Sequence, residues 1–278
     1  MKKHFQTLLE IRKSQGIKVK PKKPPKWLFP KNQEKQYDKI LYSLVKELRS
    51  QINEFLIPEI PSMIQEVNNK TPNDRNDDYL DRLNSIIFFI RKNIQNKVNT
   101  SIAESEIVGV EIAKFNKIQF DKTKNSIFGF DIFIHESWLS DQLKLFSSQN
   151  ASLIKSLPEQ ELERISGDIE RGLQQGQRFT DIAKEIQKSY GITHRRAKLI
   201  ARDQTTKLNA SLTRLRQEEV GGTSYYWQTS DDERVRPTHK ANDGKLFYWD
   251  KPPKTGHPGH DINCRCVAIM NFEGLVNQ

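Results

Sequence analysis

Residues 193–230 read THRRAKLIARDQTTKLNASLTRLRQEEVGGTSYYWQTS, and the class of fold turns on the change of texture at Gly221-Gly222. Ahead of the glycine pair the pattern is helical, with Thr193 placed as an N-cap and Gly221 as a stop. Behind it, "TSYYWQTS" (223–230) is rich in aromatic and β-branched residues, the composition of a strand. "KLFYWD" (245–250) repeats that character, and "CVAIMNF" (266–272) is a third β-prone run. A charged loop, "DDERVRPTHKANDG", and a Pro/Gly-rich loop, "KPPKTGHPGHDIN", separate the three. The C-terminal part is therefore expected to be a small α+β unit in which the helix after Thr193 packs on a few-stranded sheet.

Upstream the pattern is overwhelmingly helical. Ile40, Leu44, Leu48, Ile52 and Phe55, with Leu41 and Val45 beside them, recur at helical spacing until Pro58 and Pro61 interrupt. After a polar break at Asn73–Asp78, Tyr79, Leu83, Ile86, Ile87, Ile90, Ile94 and Val98 line one face of a second long helix, which Ile102–Phe120 continues. Ile127–Ile134, with Gly129 inside it, reads either as a strand or as an irregular connection. Further helices are expected at Glu136–Leu157, at Pro158–Gln174 with the proline in the first turn, and at Asp181–Tyr190 between a Thr180 cap and a Gly191 stop. The fold class is α+β: long amphipathic helices through the first two thirds, then the small C-terminal unit.

The 278 residues carry a net charge of +10, with 35% hydrophobic and 29% charged residues. Residues 1–31 hold ten Lys or Arg against the single acid Glu10, so +9 of the charge sits there and the remainder is close to neutral. "KVKPKKPPK" has the composition of an extended, self-repelling arm, and Lys13, Lys18, Lys20, Lys22, Lys23 and Lys26 make it a candidate for sequence-independent contact with DNA. Trp27, Leu28 and Phe29 end the arm as an apolar anchor, either onto the body of the chain or onto another subunit. The organisation read from this is a basic arm at 1–31, a helical domain at 32–188 and the α+β domain at 189–278. His4–Ser14 interleaves polar and charged residues with its apolar ones, unlike a secretory leader. The longest apolar run, Ile86–Ile90, is far short of a membrane span, so no membrane partner is expected.

Three of the six histidines and both cysteines fall within 28 residues: His239, His257, His260, Cys264 and Cys266. On a strand, Cys264 and Cys266 would project to one face while Arg265 points away. Two sulfurs so placed can form two corners of a tetrahedral zinc site that His239 and His260 or His257 would complete. A metal-free polar cluster and a strained disulfide are the competing readings. Asp231, Asp232, Glu233, Asp243 and Asp261 surround the same region, which raises a metal-dependent nuclease as an alternative function. Against it, seven acids balance seven Lys and Arg over 224–278, leaving no net attraction to a phosphate backbone. Asp243-Gly244 also reads as an ordinary turn.

The ordered succession "IARDQTTKLNASLTRLRQ", "YYWQTSDDERVRPTHKANDGKLF" and "PGHDINCRC" resembles the C-terminal domain of the phage Mu F-like head morphogenesis family, over roughly Ser189 to Phe272. The resemblance implies a minor head protein of a tailed bacteriophage, structural and not enzymatic, found inside the head near the portal vertex after assembly in the host cytoplasm. It further implies the portal protein, with scaffold or major capsid protein, as partners, and a role in assembly, DNA packaging or ejection. The family's His and Cys pattern falls on His239, Cys264 and Cys266, with His257 and His260 in the preceding loop. Its charged loop falls on Asp232, Glu233, Arg234 and Arg236. Many members carry Arg-Thr-Glu on the preceding helix where this chain has Arg202-Asp203-Gln204.

Overall fold

The computed structural model describes residue 14 and residues 25–69, 78–128 and 135–272. The short helix expected at His4–Arg12, the arm lysines from Lys13 to Lys23, the break at 73–77 and most of the 127–134 connection lie outside them.

Helix α1 (Lys31–Gln51) passes through one π turn at Ile52–Leu56 and one 3-10 turn at Ile57–Glu59 into α2 (Ile60–Asn69). Pro58 occupies the first turn of the 3-10 segment, where its missing N–H costs nothing. Helix α3 (Asp78–Phe128) is one element of 51 residues, so the two apolar patterns of the sequence do join. Helix α4 (Leu139–Gln174) and helix α5 (Phe179–Glu219) complete the helical part. Among the described residues no helix is long and apolar enough to cross a membrane.

Two sequence boundaries are absent from these helices. Pro158 lies inside α4 instead of starting a new helix. A proline there costs about 3 kcal/mol, but Ile154, Leu157, Leu162 and Ile165 are all fully buried on either side of it, and each such side chain returns about 1.5–3 kcal/mol. Gly191 and Thr193 likewise sit within α5. Thr193, expected as a cap, gives its hydroxyl to Glu161, and Arg164 reaches the Ser189 hydroxyl at 2.9 Å. Such tertiary bonds hold the helix through a glycine that costs only about 1 kcal/mol relative to alanine.

The chain divides into two compact units, one of 35–106 and 147–201, the other of 1–34, 107–146 and 202–278. Among its described residues the first holds helices and turns and no strand. Leu41, Leu44, Leu48, Ile52, Leu83 and Ile90, all but inaccessible, form part of its core, and Tyr37 donates to Asn150 within it.

The second unit holds the sheet. Strands β1 (Ser224–Gln228), β2 (Leu246–Tyr248) and β3 (Val267–Met270) are antiparallel in the order β2-β1-β3. Tyr225 pairs with Phe247 on one side and with Met270 on the other. All three β-prone runs of the sequence are thus strands, and a single turn, α6 (Pro237–Lys240), lies in the loop between β1 and β2. The sheet is tied to α5 at its end. Gly221 takes φ +90°, and a Cβ on Gly222 would stand 2.7 Å from the Met270 methyl and 2.9 Å from the Gln217 carbonyl oxygen, so only glycine fits this turn. Gln217 Nε2 then donates 2.8 Å to the Ala268 carbonyl of β3. The segment before α1 belongs to the same unit: Trp27 is buried, and its carbonyl accepts from Gln228 Nε2 at 3.1 Å.

A buried ion pair braces this unit. Arg216 reaches both Glu136 oxygens at 2.8 Å and Asn116 Oδ1 at 2.5 Å, with its side chain 1% exposed. Removing one partner of such a pair strands the other charge, so Arg216→Met is expected to cost about 3–5 kcal/mol, measured by urea denaturation. The double variant Arg216→Met with Glu136→Leu should recover most of that loss.

Candidate metal centre and its charged loop

The side chains that meet in the second unit come from α6 and from the segment leading into β3. Pro237 starts the single turn of α6 and His239 follows on its buried side, 2% exposed. The His239 ring lies edge-on to Trp227 of β1, centroids 5.3 Å apart. Cys264 and Cys266 precede β3 in no regular element, yet both sulfurs turn inward: His239 Nδ1 is 3.5 Å from Cys264 Sγ and 3.6 Å from Cys266 Sγ. Both cysteines pack with Tyr225, Trp227, Trp249 and Ala268, and neither is in a disulfide. Among the described residues, His239, Cys264 and Cys266 form a group whose ligand atoms all lie within 4.8 Å of one another, as a metal ion requires.

The far side of the His239 ring is also held. Its Nε2 is 3.0 Å from Asp261 Oδ2. With the proton on Nε2 donated to that carboxylate, Nδ1 presents its lone pair to the two sulfurs. Arg236 Nη1 stands 3.5 Å from the same Asp261 oxygen, and its Nη2 donates 2.8 Å to the Ile262 carbonyl. The charged loop thereby orients the carboxylate that orients the imidazole.

The two sulfurs influence each other's titration. A hydrogen bond from Cys266 lowers the Cys264 pKa, against the effect of burial, and the Gly259 N–H 3.4 Å from its sulfur lowers it further. The same bond, followed by burial, raises Cys266. Cys264 is therefore the sulfur that carries negative charge first.

The remaining candidates of the sequence lie apart from this group. His257 Nδ1 shares a hydrogen bond with the Tyr225 hydroxyl at 2.7 Å, and burial lowers its pKa, with Arg214 adding to the effect. His260 is exposed beside Gly256. Asp243 Oδ1 accepts the Thr229 N–H at 2.7 Å, a turn contact. Asp232 caps its own loop through the Arg234 N–H at 3.0 Å and lies 3.9 Å from Arg265 Nη1. Glu233 and Lys26 are exposed.

Asp261 was one of the acids the sequence placed around the group, whereas Arg202, Arg265 and Glu34 were not read as members of the site. Nothing in the sequence links Glu34 to the site. Its Oε1 accepts from Arg202 Nε at 3.2 Å and from Arg265 Nη2 at 2.7 Å, across more than 160 residues of chain.

Together these elements define a small α+β module with a buried His/Cys/Cys donor group under an arginine-rich loop. Residues 163–269 match the family described as Phage Mu protein F like protein. Among curated proteins, an uncharacterized protein of Haemophilus influenzae is 42% identical over 132 residues, covering 47% of this chain and 30% of that protein. Minor head protein GP7 of Bacillus phage SPP1 is 26% identical over 143 residues, 45% of this chain and 46% of GP7. The NAD(+)--arginine ADP-ribosyltransferase EFV of Enterococcus faecalis is 25% identical over 128 residues, 41% of this chain and 26% of that protein. The matches thus span less than half the length of each relative. No solved structure matches the chain.

Gly259 tests how the loop is seated. It takes φ +83°, and a Cβ there would stand 2.5 Å from the Ala210 Cβ on α5. Gly259→Ala is expected to cost about 1–3 kcal/mol from backbone strain alone, with further loss from the collision. Thermal unfolding should show the drop, and thiol accessibility at Cys264 should rise with it.

Proposed function

We propose that this chain is a minor head protein of a tailed bacteriophage, a structural component of the virion that acts at the portal vertex. The observation that carries this reading is the match of residues 163–269 to the Phage Mu protein F like family, with minor head protein GP7 among the relatives. On this reading the chain is assembled in the host cytoplasm and held inside the head, where it serves assembly, DNA packaging or ejection. The long helices supply surfaces for the portal and for scaffold or major capsid protein, and the lysines of the N-terminal arm contact DNA. The test is co-assembly with the portal protein of the same phage. Copies retained in purified heads, and lost from heads built without portal, are the expected result. A chain that never enters heads contradicts it.

The same reading makes the donor group a structural zinc site that locks the module. Zinc bonds of about 2.3 Å to sulfur and about 2.0 Å to nitrogen, at a tetrahedral angle, require sulfur and nitrogen to stand about 3.5 Å apart. The observed separations from His239 Nδ1, 3.5 and 3.6 Å, match that edge. The environment fits as well: an N–H supports one sulfur, and a carboxylate backs the imidazole. Cys264, Cys266 and His239 would hold the ion, and its role is to cross-link α6 to the segment entering β3. Purified protein should contain about one zinc per chain, and Cys264→Ser should lose it. Asp261→Asn should keep the ion but bind it about 10–100 times more weakly, read by competition with a chromogenic chelator.

A metal-dependent nuclease or toxin-like enzyme is the second reading. Its support is that three protein donors leave one position of a tetrahedral ion open, as hydrolytic sites do. The activity in the name of the Enterococcus relative belongs to that protein.

A further inference from the structure

A cavity of about 240 Å³ has His239, Cys264 and Cys266 in its wall, and the rest of its charged lining is one-sided: Arg202, Arg234, Arg236 and Arg265 against the single carboxylate of Asp232. The geometry points to a phosphate-binding site on the arginine side of this cavity.

The guanidiniums are held in place from behind. Glu34 is not part of the cavity wall, yet one of its oxygens takes both Arg202 Nε and Arg265 Nη2. Asp261, also outside the wall, engages Arg236 through Nη1 at 3.5 Å, while Nη2 is fixed on the Ile262 carbonyl. A guanidinium has five N–H donors, so each of these arginines keeps donors beyond those its supporting partner uses. The cost of ordering three long side chains is met before any ligand arrives, which is the condition for a preorganised anion site.

Two further features leave the site short of negative charge. Arg234 uses its backbone N–H on Asp232, and its guanidinium has no carboxylate partner among the described residues. Arg265 Nε is buried with no hydrogen-bond partner. Four guanidiniums against the three carboxylates of Glu34, Asp232 and Asp261 leave an excess of positive charge that favours an anion.

The arginines reach the cavity from separate places in the chain: α5 supplies Arg202, the charged loop Arg234 and Arg236, and the segment before β3 Arg265. Donors from several directions suit a tetrahedral oxyanion better than a planar carboxylate, which one arginine can satisfy edge-on. The near-neutral total over residues 224–278 had argued against attraction to phosphate. It missed this arrangement because balanced totals say nothing about which side of a guanidinium its carboxylate occupies.

The experiment is calorimetric titration of the full-length protein at low ionic strength with inorganic phosphate and, separately, with acetate. Phosphate should bind, with an affinity that falls as salt is raised, and acetate should bind far more weakly. Arg234→Gln, an exposed position outside every ion pair described, should weaken phosphate about tenfold with an unchanged unfolding temperature. Asp232→Asn removes the only carboxylate of the wall and should tighten binding. Acetate equal to phosphate, no phosphate binding at tens of millimolar, or the same affinity in both variants as in the native chain would each overturn the assignment. The zinc measurement is separate, so either reading can fail without the other.

Discussion

Burying one imidazole and two sulfurs against each other is the constraint around which the C-terminal unit is organised. None of the three can be left unsatisfied in an apolar surround of Tyr225, Trp227 and Trp249 without a cost of a few kcal/mol. Two of the three are supplied with a partner from outside the group. The Gly259 N–H serves the Cys264 sulfur and Asp261 serves the far nitrogen of His239, while Cys266 faces His239 Nδ1 at 3.6 Å. The proximity of Gly259 to Ala210 on α5 then seats the loop that carries these partners. Strand β3 begins one residue after Cys266, so pairing with β1 fixes the direction in which that sulfur leaves the chain.

Glu34 plays a comparable part at longer range. Its carboxylate gathers Arg202 of α5 and Arg265 of the cysteine segment, with Phe29 beneath the Arg265 guanidinium at 5.4 Å. Because Trp27 and Leu28 are also bonded within this unit, the segment before α1 is part of the module and not a free tail. The apolar anchor at Trp27–Phe29 therefore serves the chain's own body, the first of the two readings its sequence allowed. Ion pairing here positions side chains more than it stabilises, since a buried carboxylate between two guanidiniums pays heavy desolvation.

Much of the helical part was legible because amphipathic spacing over fifty residues leaves little choice, and the three strands because aromatic and β-branched runs were set off by turn residues. Local punctuation was the less trustworthy signal. Pro158 and Gly191 each marked a boundary, yet both lie within helices, since buried side chains on either side outweigh a local cost of about 1–3 kcal/mol. At the site, clustering of His239, Cys264 and Cys266 was visible. It could not distinguish those from His257 and His260, which sit closer to the cysteines in sequence but serve other contacts.

Residue order alone determined where helix gives way to strand, which runs form the sheet, and that sulfur and imidazole chemistry is concentrated near the end of the chain. Those are properties of spacing and composition within a few turns or a short loop. Tertiary structure alone decided which nitrogen faces the sulfurs, that Asp261 stands behind it, and that Glu34 reaches two arginines more than 160 residues away. Such choices depend on side-chain direction and on contacts between distant segments, which exist only once the helices and the sheet have packed.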